Sequence, residues 1–165
     1  MNLIVCLDDK NGIGKNNKLA WSLKQDLKYF CKITTNTIVI MGRNTWDSLP
    51  VKPLKNRLNL VLSKSMYSTI YENTFFFSTF LLLNEFLKNI ESNNEIFIIG
   101  GKSIYEYFLK ENLIKKIYMT KINHNYNCDV FFPNIDLNDK FKIISNSDYI
   151  IENNIKYKYI EYILK

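Results

Sequence analysis

Over its first two-thirds the chain alternates short unbroken apolar runs with amphipathic stretches. Leu3-Ile4-Val5-Cys6-Leu7, Thr37-Ile38-Val39-Ile40-Met41, Arg57-Leu58-Asn59-Leu60-Val61-Leu62 and Glu95-Ile96-Phe97-Ile98-Ile99 have the length and continuity of strands buried on both faces. Phe75-Phe76-Phe77 is a shorter candidate. Between these runs, apolar residues recur at helical spacing: Leu23, Leu27, Phe30 and Ile33, then Phe80, Leu83, Phe86, Leu87 and Ile90, then Ile104, Tyr105, Phe108 and Leu109. Ser22 is the expected N-cap of the first helix, and Ser78 or Thr79 of the second. Arg43 to Leu49 reads as a short helix that Pro50 ends. Beyond the last helix the texture changes. Lys116 to Ile122, Phe141 to Ser145 and Ile155 to Leu164 read as strands; a polar loop runs from Asn123 to Asn127, and Asn153-Asn154 mark the turn of a closing hairpin.

This order predicts an α/β fold: a mostly parallel twisted sheet with flanking helices, finished by an antiparallel C-terminal hairpin. The length suits one domain spanning residues 1–165, with a core that needs neither disulfides nor metal. No repeat, linker or low-complexity segment interrupts it.

Composition changes the picture in three ways. An apolar content of 47% with 15% aromatic excludes a disordered chain. Cys6, Cys31 and Cys128 form no C-x-x-C pair, and an odd number suits free thiols in a reducing cytoplasm. Neither a leader at Met1 nor an apolar run of membrane-spanning length is expected. The formal charge of +6 favours anionic partners. The lysines are scattered, so a nucleic-acid stripe is not indicated, and small polyanions or a merely solvated basic surface fit equally. His124 is the only histidine and no ligand cluster surrounds it, so no metal site is expected.

The candidate chemistry lies at three places. Gly12 to Trp21 reads as a long loop of glycine, asparagine and lysine that runs into the first helix. Asp26 falls inside that helix's apolar stripe, either as a first-turn acid favoured by the helix dipole or as a buried acid awaiting a donor-rich ligand. Ile40-Met41-Gly42 and Ile99-Gly100-Gly101 are strands that end in glycine and pass at once into a helix. Such junctions bring backbone N–H groups to the carboxyl edge of a sheet, where a dinucleotide pyrophosphate binds, although glycine there also serves as plain punctuation. Neither is a G-x-G-x-x-G fingerprint. Arg43 and Lys64 follow two of the strands and no acid closes them, which favours a 2′-phosphate over a free ribose hydroxyl.

Taken together, Gly12-Ile13-Gly14, Leu19-Ala20-Trp21, Asp26-Leu27-Lys28-Tyr29-Phe30, Ile40-Met41-Gly42-Arg43-Asn44-Thr45-Trp46, Pro53-Leu54 with Arg57 and Asn59, Leu62-Ser63, Ile99-Gly100-Gly101 with Ile104-Tyr105, and Asp129-Val130-Phe131-Phe132-Pro133 resemble the dihydrofolate reductase family in order and spacing. The resemblance covers nearly the whole chain. It implies a cytoplasmic, monomeric, NADPH-dependent reductase of 7,8-dihydrofolate that supports one-carbon metabolism and thymidylate synthesis and is an antifolate target, with about eight strands and no nucleic-acid or membrane partner.

By the same resemblance, Asp26, Trp21 and Thr120 are the expected catalytic residues. Val5, Cys6, Leu27, Phe30, Leu49, Leu54, Arg57, Ile99 and Tyr105 join Asp26 and Thr120 as expected substrate contacts, with Arg57 on the substrate's glutamate carboxylate. The expected cofactor contacts are Cys6, Ile13, Gly14, Lys18, Leu19, Gly42, Arg43, Asn44, Thr45, Leu62, Ser63, Lys64, Ile99, Gly100, Gly101, Lys102, Ser103, Ile104 and Tyr105. The loop over residues 12–20 resembles a flap over the nicotinamide. Two positions depart from the family pattern: Ala20 where proline usually precedes the tryptophan, and Val130 where threonine is common. A related reductase of ribosylated pyrimidines shares the expected fold, but Asp26 and Arg57 favour folate. The 11 tyrosines and 11 phenylalanines also admit a stacking nucleic-acid module, although most fall at core positions.

Overall fold

Strands that are apolar at every position need cover on both faces, and the helices between them supply it. The computed structural model describes residues 1–65, 70–90, 93–134 and 137–165. In chain order the elements are β1 (Asn2–Leu7), β2 (Gly12–Gly14), α1 (Lys24–Thr34), β3 (Ile38–Gly42), α2 (Arg43–Ser48), β4 (Leu58–Leu62), β5 (Thr74–Phe77), α3 (Phe80–Asn89), β6 (Ile96–Ile98), α4 (Lys102–Lys110), β7 (Lys116–Ile122), β8 (Val130–Phe131), α5 (Leu137–Lys140), β9 (Phe141–Asn146), β10 (Ile150–Glu152) and β11 (Ile155–Leu164).

The main sheet runs β10-β11-β7-β1-β6-β3-β4-β5. From β7 to β5 every neighbouring pair is parallel, and β11 adds to β7 antiparallel. Strands β10 and β9 both pair with β11, the first near Ile155 and the second from Ile160 onward, so they share one edge end to end. The sheet is therefore the expected α/β one, eight positions wide. Chain order builds outward from β1 through β3, β4 and β5. It then returns to place β6 against β1 and crosses to β7 on the other side. That reversal around β1 is where open α/β sheets leave a crevice at their carboxyl edge.

Alternation along each strand divides the core. Leu3, Val5, Leu7, Ile38, Ile40, Leu60 and Ile98 pack with Leu83 of α3 and Phe108 of α4. Ile4, Val39, Met41, Val61 and Phe97 face the other way, against Trp46 of α2 and Tyr29, Phe30 and Ile33 of α1. A third cluster of Trp21, Leu23, Ile122, Cys128 and Tyr157 closes the end of the sheet that leads into α1.

Several expectations are corrected. Ser22 does not cap α1: Leu23 occupies the N-cap and makes no side-chain cap bond, whereas Thr79 caps α3 by accepting from Leu82 N–H. Leu27 leaves the apolar stripe and is 50% exposed. The loop read from Gly12 onward contains β2, paired with β8, and a further bridge between Lys15 and Lys18. Strand β10 is absent from the sequence reading, because three residues of mixed polarity carry no periodic signal.

With only five glycines, the chain makes its tight turns with asparagine. Every described non-glycine residue with positive φ is an asparagine, including Asn153 (50°) and Asn154 (64°) between β10 and β11. Positive φ at both central residues is the two-residue hairpin geometry, and asparagine tolerates it better than other L-residues. Asn154→Ala is therefore expected to destabilise the protein by about 1 kcal/mol while Asn154→Gly stays close to the parent. Urea midpoints of the three proteins check this, and an alanine variant as stable as the parent would contradict it.

Candidate active site

Two residues distant in sequence meet between α1 and the sheet. Thr120, in the interior of β7, donates its hydroxyl to Asp26 Oδ1 at 2.6 Å. β1 lies beside β7 with Cys6 directly opposite Thr120, so both side chains stand on the face that α1 covers. Thr120 is buried and Asp26 and Cys6 are half-buried. Burial pushes the Asp26 carboxyl above its ordinary value, and hydrogen bonds from Thr120 and Cys6 only partly oppose it; the charge of Glu152 adds to the upward push. The same burial, with Asp26 beside it, drives the Cys6 thiol well above its usual range, so it stays protonated. Trp21 packs nearby, 8% exposed, and among the described residues its indole N–H has no oxygen or nitrogen acceptor and only the Cys6 sulfur beside it. A buried donor that meets only a weak sulfur acceptor has capacity left for a stronger one.

The loop carrying Ile13, Gly14, Lys18 and Leu19 is tied down at its base. Asp8 is fully buried and accepts from the N–H groups of Lys10 (2.9 Å), Gly12 (2.7 Å) and Tyr126 (3.1 Å). Burial works to raise the Asp8 pKa, but those bonds and the Cys128 thiol outweigh it and hold the carboxyl below its usual value. Gly12 is required there, since a Cβ would stand 2.4 Å from that of Cys128. Farther along, Asp129 Oδ2 accepts from Asn16 N–H at 2.9 Å. Leu19 remains 56% exposed. Sequence reasoning misses Asp8 and Tyr126, because an acid that serves backbone N–H groups carries no side-chain pattern.

The two glycine junctions abut. Gly42 N–H donates to Gly100 O at 2.7 Å, and Ile99 N–H donates to Ile40 O at 2.9 Å. Gly100 has φ of +105°, and a Cβ on it would lie 2.9 Å from the Tyr105 ring. On Gly42 a Cβ would crowd Ile104 at 3.1 Å. Tyr105 in turn donates its hydroxyl to Ile4 O at 3.0 Å, which fixes α4 against β1. Gly42 and Leu62 are register partners on adjacent parallel strands, so Arg43, Asn44 and Thr45 begin beside Ser63 and Lys64. Ser63 is buried and its hydroxyl donates to Ser65 O at 2.9 Å, while Lys64 is exposed. Arg43 pairs with Asp47 at 3.2 Å and Lys102 with Glu106 at 3.7 Å, both on the surface. Ser103 is exposed at the start of α4.

On the other flank, Phe30, Leu49 and Leu54 pack partly buried against the second cluster. Arg57 is 8% exposed; its Nε donates to Thr34 O (3.1 Å) and its Nη2 to Thr35 Oγ1 (3.3 Å), with the guanidinium 5.6 Å from the Phe30 ring. Among the described residues no carboxylate pairs with it. The end of α1 thus orients a planar cation whose remaining N–H groups suit an incoming carboxylate. Among the described residues no group of histidine, cysteine, aspartate and glutamate is arranged to hold a metal ion.

The family model described as dihydrofolate reductase matches residues 1–164. A dihydrofolate reductase of Heliothis virescens is 36% identical over 178 residues, which cover 98% of this chain and 96% of its own. The Sus scrofa dihydrofolate reductase is 35% identical over 180 residues, with the same coverage. A viral dihydrofolate reductase of Saimiriine herpesvirus 2 (strain 488) is 38% identical over 181 residues, covering 98% of this chain and 84% of its own.

The raised pKa of Asp26 has a consequence for stability. An acid whose folded value lies above its unfolded one favours the fold fully at low pH, and that contribution is lost as pH rises through the folded value. Asp26→Asn is permanently neutral, so the free variant is expected to melt above the parent at neutral pH. The gap should close as pH falls through the raised carboxyl value. Thermal melts of both proteins across that range decide it, and a variant less stable than the parent at neutral pH would contradict the burial argument.

Proposed function

The chain belongs to the dihydrofolate reductase family, and from that premise we propose that it reduces 7,8-dihydrofolate to 5,6,7,8-tetrahydrofolate with NADPH. It is an oxidoreductase of this type. The observation that carries the substrate reading is Asp26, a half-buried carboxyl bonded to Thr120. A carboxylate accepts two parallel donors, which matches the ring amide and amino group of a pterin. Leu27, which is half exposed, and Phe30 would pack on the pterin and the aminobenzoyl group, with Leu49 and Leu54 beside them. Arg57 would take the glutamate carboxylate with its remaining fork. Val5, Cys6 and Ile99 would border the ring.

Residues at the paired junctions fit a dinucleotide: glycine backbone can be approached closely at Gly42, Gly100 and Gly101, and Arg43, Lys64 and Lys102 are surface cations. Ser63, Asn44, Thr45, Ser103 and Ile104 would complete that side, with Ile13, Gly14, Lys18, Leu19 and Leu62 around the nicotinamide half. NADPH, when bound, supplies the hydride. The chain's contribution is to align the two rings and to exclude water under the 12–20 loop. Asp26, held by Thr120, controls protonation of the neighbouring ring nitrogen. We further take residues 1–165 to act as one monomeric domain in a reducing cytoplasm, in agreement with three free cysteines, and to supply tetrahydrofolate for one-carbon metabolism and thymidylate synthesis.

Mixing the protein with NADPH and dihydrofolate and following loss of reduced-nicotinamide absorbance tests the reading directly; constant absorbance with both reagents present refutes it. Asp26→Asn is expected to lower turnover 10²–10⁴-fold near neutral pH, with partial recovery in acidic buffer and little change in NADPH affinity. Turnover at parental level across the pH range would remove Asp26 from the mechanism.

Cofactor choice is tested separately. Arg43→Ala with Lys64→Ala should weaken NADPH binding by up to about 1.5–3 kcal/mol for each of the two cations removed and leave NADH binding nearly unchanged. The Arg43–Asp47 pair is exposed, so releasing it toward a phosphate costs little. A double variant that kept the full preference for NADPH would assign the discrimination to other residues.

A further inference from the structure

Helix α1 starts without a cap of its own. Its N-cap is Leu23, whose side chain accepts nothing, and Ser22 stands exposed outside. The first N–H groups of a helix have no intrahelical acceptor and need one from elsewhere. Here they find it 127 and 128 residues away. Lys24 N–H donates to Glu152 Oε1 at 2.7 Å and Gln25 N–H to Glu152 Oε2 at 3.0 Å, so a single carboxylate takes both. Glu152 is the last residue of β10 and pairs with Ile155 across the Asn153-Asn154 turn. The buried Tyr157 lies 3.4 Å from Oε2 through its hydroxyl, at the long end of hydrogen-bond distance.

These contacts close a ring around the acid of the site. Asp26 directly follows Gln25. Its carboxyl is held by Thr120 of β7; Thr120 is the register partner of Tyr159 in β11, and β11 is joined through its hairpin to Glu152. Fixing the helix start and the hydroxyl from the same hairpin fixes Asp26 from both sides. We propose that Glu152 is a positioning residue for reduction of the pterin: it clamps the first two N–H groups of α1 and thereby sets the place and electrostatic surroundings of the Asp26 carboxyl. The proposal rests on the dihydrofolate reductase reading of the site.

The second half of that role follows from what surrounds Asp26. Cys6 faces it from β1 and Thr120 from β7, and the Asp26 charge reaches Tyr29 on its own helix and Tyr157 and Tyr159 on β11. Burial keeps the Cys6 thiol and these three tyrosine hydroxyls protonated near neutral pH. Glu152 is the only other carboxylate in this set, and its charge favours the protonated form of Asp26. A neutral cap would carry no such charge, whereas the Glu152 carboxylate pushes the Asp26 value upward.

The test compares Glu152→Gln and Glu152→Asp with the parent by three readouts. These are kcat and KM for dihydrofolate and NADPH, thermal stability, and titration of the Asp26 carboxyl followed by ¹³C NMR, its resonance assigned with Asp26→Asn. Glu152→Gln keeps the shape but loses the charge and one acceptor. It is expected to lower kcat/KM for dihydrofolate on the order of 10-fold, since a misplaced group costs that much or more, and to leave KM for NADPH within about twofold. The Asp26 titration should move to lower pH. Glu152→Asp retains the charge on a shorter arm and should recover most of the titration shift but only part of kcat/KM. Loss of thermal stability with unchanged kcat/KM and unchanged titration would reduce Glu152 to a structural cap and overturn the proposal. If Glu152→Gln does not fold, Glu152→Asp carries the same comparison; if neither folds, Glu152 belongs to folding and the proposal is overturned. A parent without turnover would refute the functional reading, and the carboxyl titration, which needs no substrate, would still decide whether Glu152 governs Asp26.

Discussion

The hydrogen bond between Thr120 and Asp26 is the contact on which the rest of the site depends. Taking a carboxylate out of water is unfavourable unless it is paired or hydrogen-bonded, and α1 leaves Asp26 half-buried over the sheet. One hydroxyl at 2.6 Å satisfies Oδ1, and the Cys6 thiol adds a weaker bond to the carboxyl. The result is an acid held in place yet short of partners, with its proton affinity raised by burial. A group so arranged is poised to take donors from a ligand, because that interaction replaces what burial removed. Placing Thr120 required β7 to lie next to β1, so the acid's environment is a product of strand order.

The same strand order assembles the paired junctions. β6 returns from the far side of the sheet to sit between β1 and β3, which brings Gly100 against Gly42 although the two lie far apart in the chain; the 2.7 Å bond between their backbones records that contact. Glycine is needed at Gly100 for its positive φ and for the closeness of the Tyr105 ring. Tyr105 then reaches Ile4 in β1, so one tyrosine ties the junction to the strand that carries Val5 and Cys6. A single buried hydroxyl thus braces α4 and the glycine junction against β1.

Around this rigid centre, carboxylates organise backbone. Asp8 gathers three N–H groups at the base of the 12–20 loop, Asp129 takes one at its far side, and Glu152 takes two at the start of α1. Each supplies acceptors where the local chain has none. Asparagine does the complementary work of turning the chain at positive φ, which lets the loops stay short with only five glycines in the sequence.

The sequence by itself determined the elements and the residue types of the site. Period and continuity of the apolar positions located β1, β3, β4, β6, β7 and β11 and helices α1, α3 and α4 to within a residue or two, because those patterns are local consequences of burial on two faces or on one. Asp26 could be singled out because an acid amid Leu23, Phe30 and Ile33 breaks such a pattern, and Gly42 and Gly100-Gly101 because they end strands abruptly. Only the tertiary structure decided that Thr120 meets Asp26, that the two junctions touch, that Leu27 is left exposed, and that Glu152 rather than Ser22 caps α1. Those facts depend on which strand lies beside which. A hydrogen bond spanning 94 or 128 residues leaves no periodicity in the chain.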